Sequence, residues 1–203
     1  MRRYRKTYKR RSRRVWRRRY ARKSSDLATR WIKRSFTQNA FNGTTGVDQQ
    51  ISWNFQLSSL PQYTEFTNLF KEYRIARVQY RFRIYKGTEQ VANSLNPVIY
   101  HAFDERGSAA VFAATDVLAY SSAKISVLTD SKPVTRWFSI RPCTADAVYQ
   151  GAFTAYALSR KQFISTAYPS VQHYGLMTAL TQAYTGINVA MDVKFLLAFR
   201  GVA

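Results

Sequence analysis

An all-β body behind a cationic arm is predicted by three features of this sequence. Beyond about position 45 the chain is rich in Tyr, Phe, Val, Ile and Thr, which suit a pleated, half-buried surface. Several of its stretches alternate apolar and polar residues with the period of two that turns one strand face to a core. Charge is divided unevenly: residues 1–34 hold 17 Lys or Arg against the single acid Asp26, so +16 of the chain's +21 lies there. With a tail of about 40 residues set aside, the rest of the 203 suffices for one packed core and is short for two. The expected organisation is a basic, mostly disordered arm and hinge over 1–45 and one domain over 46–203.

The arm carries Arg2, Arg3, Arg5, Lys6, Lys9, Arg10, Arg11, Arg13, Arg14, Arg17, Arg18, Arg19, Arg22 and Lys23, followed by Arg30, Lys33 and Arg34. A run this dense in one sign repels itself and cannot bury enough apolar surface to offset chain entropy. It is therefore expected to be disordered alone and to bind a polyanion, chiefly through phosphates. Tyr4, Tyr8, Trp16 and Tyr20 recur at multiples of four. They either stack on exposed bases or are spacers in a charge-driven tail. Lys9 to Arg11 and Arg17 to Arg19 match the basic pattern of nuclear localisation signals, a pattern any nucleic-acid-binding arm also produces.

Ser25 to Phe36 is read as a short turn of helix capped by Ser25 or Asp26, gathering Leu27, Trp31 and Ile32. The Gly, Asn and Thr of residues 39–46 read as a hinge. Ile51, Trp53, Phe55 and Leu57 then alternate with polar residues as a strand, which Pro61 ends. Phe66, Leu69, Phe70 and Tyr73 fall at helical spacing. Over 75–85, Ala76, Val78, Tyr80, Phe82 and Ile84 face one way and Arg77, Gln79, Arg81 and Arg83 the other. The three arginines form a solvated outer face, a second phosphate-binding surface or a subunit contact.

Further strands are expected at 97–104, 124–129, 134–141, 156–165, 173–182 and 187–200, with a short helix capped by Thr115 and Asp116 running to Tyr120. The last strand carries an unbroken apolar row from Ile187 to Phe199 and belongs deep in a sheet. About eight antiparallel strands joined by long connections suit a two-sheet jelly roll better than a meander barrel.

Catalysis is not expected. His101 and His173 are the only histidines, and neither lies in a metal-binding motif. Asp104 and Glu105 near His101 read as a strand-end polar cluster rather than a metal or acid–base site. No phosphate-cradling glycine loop and no nucleophile elbow occurs. Cys143 is alone, so no intrachain disulfide can form, and it reads as a small buried hydrophobe. No secretory signal or membrane-length apolar run is found, so a soluble chain made inside the cell, with no membrane insertion, cofactor or metal, is expected.

The stretch from Leu60 to Tyr85 (LPQYTEFTNLFKEYRIARVQYRFRIY) resembles the segment that joins the first jelly-roll strands of capsid proteins of circoviruses and related small circular single-stranded DNA viruses. The shared pattern is carried here by Phe66, Leu69, Phe70, Tyr73, Arg74 and Ile75. The arginine-rich start, Tyr100 with Asp104, the region from Lys132-Pro133 to Pro142, and Tyr174-Gly175-Leu176 are also similar.

The resemblance implies a jelly-roll subunit that assembles with itself into an icosahedral shell, T=1 with sixty copies, around circular single-stranded DNA. The arm would line the interior and carry the nuclear localisation signal. Sixty arms would bring on the order of a thousand positive charges against the genome phosphates. The implied partners are other copies of the chain, viral single-stranded DNA, a host nuclear import receptor and a host-cell attachment receptor; the implied locations are the virion and, during assembly, the host nucleus. Two other readings remain open from composition: a stand-alone nucleic-acid-binding protein, such as a nuclear shuttle or ribosome-associated protein, and the coat protein of a small RNA virus.

Overall fold

The computed structural model describes residues 28–42, 47–86, 96–104, 113–129, 132–142, 161–183 and 187–202. The elements are β1 (Arg30–Phe41), β2 (Val47–Phe55), a 3-10 turn (Leu57–Ser59), α1 (Tyr63–Leu69), β3 (Phe70–Lys86), β4 (Val98–Ala102), α2 (Ala114–Leu118), β5 (Lys124–Val127), β6 (Val134–Phe138), β7 (Arg141–Pro142), β8 (Ile164–Ser165), β9 (His173–Ala183) and β10 (Ile187–Val202). One sheet has the order β1-β10-β3-β6, with β8 also pairing β3. The other has the order β2-β9-β4-β5, with β7 also pairing β9. All pairings are antiparallel. Two five-stranded layers that exchange the chain in this way make the expected jelly roll.

The core lies between the layers. Val189, Met191, Val193, Phe195, Leu197 and Phe199 of β10 are all buried, as their unbroken alternation predicts. Phe195 reaches Phe36 of β1 and Phe55 of the facing sheet in edge-on contacts of 5.5 and 6.1 Å between ring centroids. Phe66 of α1 and Phe70 stack on Phe199 at 5.2 and 4.9 Å and close one end of the core. A smaller cluster forms on the far face of the second sheet, where Val117 of α2 covers Ala102, Met177 and Ala179.

Several expectations are corrected. Trp31 to Phe36 is strand, not helix: β1 pairs with β10 from Arg30 opposite Phe199 to Phe41 opposite Val189. Residues 30–41, placed in the arm and hinge by composition, thus belong to the sheet. Twelve residues of ladder outweigh a weak cap signal and a marginal helix of a few turns. Tyr73 and Phe70 likewise lie on β3, and Leu69 is exposed, so of the four residues at helical spacing only Phe66 faces the core from α1. Asp116 is not the cap of α2 but lies within it, its Oδ2 accepting the Ala113 amide at 2.7 Å.

The register of β3 slips once. Leu196 pairs Arg77 and Leu197 pairs Ile75, so Ala76 is left over as a bulge. The core row is therefore Tyr73, Ile75, Val78, Tyr80 and Phe82, all buried, and Ala76 is not part of it. The strand expected over 156–165 has only Ile164 and Ser165 paired among the described residues. Apart from the two-residue β7 and β8, eight strands are present among the described residues, with β1 in place of that one. Cys143, residues 1–27 and Gly43 to Gly46 lie outside the described residues.

Gly175 marks another bulge, between the pairs Trp53–Leu176 and Asn54–Tyr174. A Cβ there would meet Phe138 Cε2 at 2.6 Å and Ile140 Cγ2 at 2.8 Å. The Phe138 ring cannot withdraw, because Phe103 stacks on it at 4.9 Å and Phe55 and Tyr80 hold it at 5.7 and 5.9 Å. Gly175→Ala is expected to cost about 1–3 kcal/mol by overpacking. A denaturation midpoint equal to that of the parent protein would refute this.

Candidate nucleic-acid interface

Fourteen of the basic residues singled out in the arm, Arg2 to Lys23, together with Tyr4, Tyr8, Trp16 and Tyr20, lie outside the described residues. Arg30, Lys33 and Arg34 stand on β1, where strand alternation separates them. Arg30 and Arg34 share the parity of Ile32 and Phe36, and the Arg34 guanidinium sits 5.3 Å over the Phe66 ring. Lys33 points to the opposite, outer face.

Arg77, Arg81 and Arg83 are brought to that same outer face on β3, but their surroundings differ. Arg83 Nη2 bonds Asp192 Oδ1 at 2.6 Å, and the Thr37 hydroxyl donates to the same oxygen at 2.8 Å. The carboxylate thus ties β1, β10 and β3 together. Arg77 lies 6.0 Å from the Trp137 ring on β6. Arg81 is exposed and borders two clefts, one of about 510 Å³ shared with Ser35, Thr37, Gln79, Thr135 and Lys194, the other of about 200 Å³ toward Tyr85 and Thr129. The arginine row is therefore not uniform: Arg83 is engaged structurally, and Arg81 fronts open space.

Near the start of β1, rings and guanidinium groups alternate. Arg74 lies 5.5 Å from the Trp31 ring and 5.1 Å from the Phe163 ring, and Arg200, ion-paired with Glu72, lies 4.2 Å over Phe163. Trp31 is 55% exposed. A third cleft, of about 390 Å³, opens between β5 and β6 and is lined by His101, Lys124, Ser126, Lys132, Thr135 and Arg136. Lys124, Lys132 and Arg136 carry no sequence signal as a group, being single basic residues on separate elements. Only the pairing of β4 with β5 and of β3 with β6 gathers them.

His101 is buried between the sheets rather than poised for chemistry. Tyr80 Oη lies 2.6 Å from its Nδ1 and Ser126 Oγ 3.2 Å from its Nε2, while Arg136 Nη1 approaches Nδ1 at 3.5 Å and donates to the Ser122 carbonyl at 3.0 Å. The guanidinium also packs on Phe103 at 4.1 Å. Burial, then the positive charges of Arg136 and Lys124, push the imidazole down from 6.5 to about 4, so it is neutral at physiological pH. Because Arg136 can only donate, Nδ1 accepts and the ring proton belongs on Nε2, pointing to Ser126. Among the described residues no group of three His, Cys, Asp or Glu is placed to hold a metal ion, and no helix is long and apolar enough to cross a membrane.

His173 behaves alike: it is buried, bonded through Nδ1 to the Val171 carbonyl at 3.0 Å, and pushed down to about 4 by burial. Both histidines take up a proton near pH 6.5 when unfolded and only near 4 when folded. Their contribution is intact above about 6.5 and is lost as pH falls from there toward 4, by up to about 3 kcal/mol per histidine. Thermal midpoints are expected to drop across that interval, and His101→Gln should flatten the slope. A midpoint unchanged between pH 7 and 4.5 would contradict both assignments.

The sequence model of the circovirus capsid protein family matches residues 2–203. No curated protein matches. Among solved structures, the 60-mer of the BFDV capsid protein superposes with a TM-score of 0.63 at 20% identity, covering 89% of this chain and 97% of that one. The decameric form of the same BFDV protein gives 0.55 at 22% identity, covering 86% and 99%. Tobacco necrosis virus gives 0.52 at 6% identity, covering 87% and 97%, which shows the shared fold alone. With a jelly roll of this strand order and a family match along essentially its whole length, the chain belongs to the circovirus capsid protein family and is a structural component of a virion.

Proposed function

We propose that the subunit closes into a T=1 icosahedral shell of sixty copies and packages circular single-stranded DNA through its N-terminal arm. The observation that carries this reading is the division of charge, +16 in the first 34 residues against +5 in the rest. A cationic leader neutralises phosphates without reading bases, as packaging of a whole genome requires and recognition of one site does not. The 60-mer assembly of the BFDV capsid protein supports the copy number. Tyr4, Tyr8, Trp16 and Tyr20 add stacking on unpaired bases. The arm also serves as nuclear localisation signal for an import receptor, which places assembly in the host nucleus, and the outer shell surface meets an attachment receptor.

Electron microscopy of the purified protein, with nuclease digestion of its contents, tests the core of this reading. Uniform closed particles holding DNase-sensitive, RNase-resistant material are expected. Material that never forms shells would overturn it, and RNase-sensitive contents would replace the cargo. A reporter fused to residues 1–34 should enter the nucleus; a cytoplasmic reporter would remove the import role.

A further inference from the structure

We infer that the cleft between β5 and β6, with the groove it joins across the outer face of the β1-β10-β3-β6 sheet, is a phosphodiester-binding site for the packaged single strand, carried by the body rather than by the arm. The inference rests on the packaging function proposed above.

Polarity is the first support. With Nδ1 accepting and Nε2–H aimed at Ser126, the Ser126 hydroxyl accepts from the ring and keeps its own proton to donate. Lys124, Lys132 and Arg136 contribute only donors, and among the described residues no acidic one lines the cleft. A cavity wall that gathers a hydroxyl, two ammonium groups and a guanidinium suits a tetrahedral oxyanion.

Continuity is the second. Pro133 borders all three clefts, so they meet around Lys132 to Thr135 and run on to Arg81 and Lys194. The one carboxylate on this path among the described residues, Asp192, is already held by Arg83 and Thr37. A single small ion needs one such cleft, whereas a linked series of phosphates fills them in succession. Ser35 and Thr37 of β1 wall the widest cleft, and β1 begins at Arg30, directly after the arm. The groove thus lies on the sheet whose edge strand follows the arm in sequence, which favours the polymer bound by the arm over a polyanion from elsewhere.

The test uses full-length protein. In assembled particles, ultraviolet cross-linking followed by peptide mapping should place nucleic acid on the segment from Lys124 to Arg136 as well as on residues 1–34. For the full-length subunit binding a labelled oligothymidylate, Arg81→Gln combined with Lys132→Gln should lower the slope of log K against log salt by about 1.4, about 0.7 for each lost single-strand contact. Arg136 is left intact because it also supports the fold through Ser122 and Phe103.

Cross-links confined to the arm, with an unchanged slope, would overturn the inference and leave the arm reading standing. Particles free of nucleic acid would overturn both. Weakened binding of a sulfated polysaccharide with an unchanged oligothymidylate slope would reassign the cleft and also overturn it. Should the double variant fail to assemble, Ser126→Ala removes the donor without changing charge. It must reduce the cross-links in the segment from Lys124 to Arg136, and retention of all of them would refute the site.

Discussion

Removal of residues 1–27 is expected to leave the sandwich folded while lowering the nucleic acid content of particles at least tenfold. The deleted piece carries 14 basic residues and one acid, a net of +13 per chain. Over sixty subunits that is on the order of 800 charges withdrawn from the phosphates. The place of the cut matters. Composition alone would set it at residue 34 or 45, but β1 begins at Arg30, and its Ile32 and Phe36 pack against the core. A cut after Arg34 removes the ladder pairs from Arg30–Phe199 through Arg34–Phe195. That longer truncation should destabilise the body and expose the edge of β10 to aggregation. The ratio of absorbance at 260 and 280 nm, with a thermal melt, separates the outcomes. A particle that keeps its full nucleic acid after loss of residues 1–27 would end the arm's packaging role.

Phe195→Ala is expected to have the largest effect on stability, about 3–5 kcal/mol. The ring is fully buried on β10, the strand between β1 and β3, and it contacts both layers through Phe36 and Phe55. Truncation leaves a cavity that the rigid ladders on either side cannot collapse to fill. Against a total stability of about 5–15 kcal/mol, a loss of this size should abolish most particle yield. Phe195→Leu keeps most of the volume and should cost less than half as much. Equal denaturation midpoints for Phe195→Ala and the parent would refute the placement of this ring at the centre of the core.

What was legible in the sequence followed from local periodicity. The row from Val189 to Phe199 could face only a core, and the structure buries every member of it. The alternation from Val78 to Phe82 likewise gave the two faces of β3 correctly. It gave them wrongly at Ala76, because a bulge resets the phase and no residue announces it. β1 was missed for a related reason. Its outer residues, Trp31, Lys33 and Ser35, and its partly exposed inner ones do not alternate cleanly, since an edge strand is only half covered. Its strand character comes from β10, about 150 to 170 residues away in the chain.

The interface shows the same division. Arg77, Arg81 and Arg83 were recognisable as a charged strand face, whereas the capture of Arg83 by Asp192, a partner 109 residues distant, was not. Lys124, Lys132 and Arg136 were not recognisable at all.

The sequence by itself determined the division of this protein into a cationic leader and a two-layer β body, because net charge and side-chain period are properties of neighbouring residues. Only the tertiary structure decided where the leader ends, which arginines are engaged, and that a donor-lined cleft exists. Each of those depends on strand register, which brings distant residues within a few ångströms and is set by packing between the sheets.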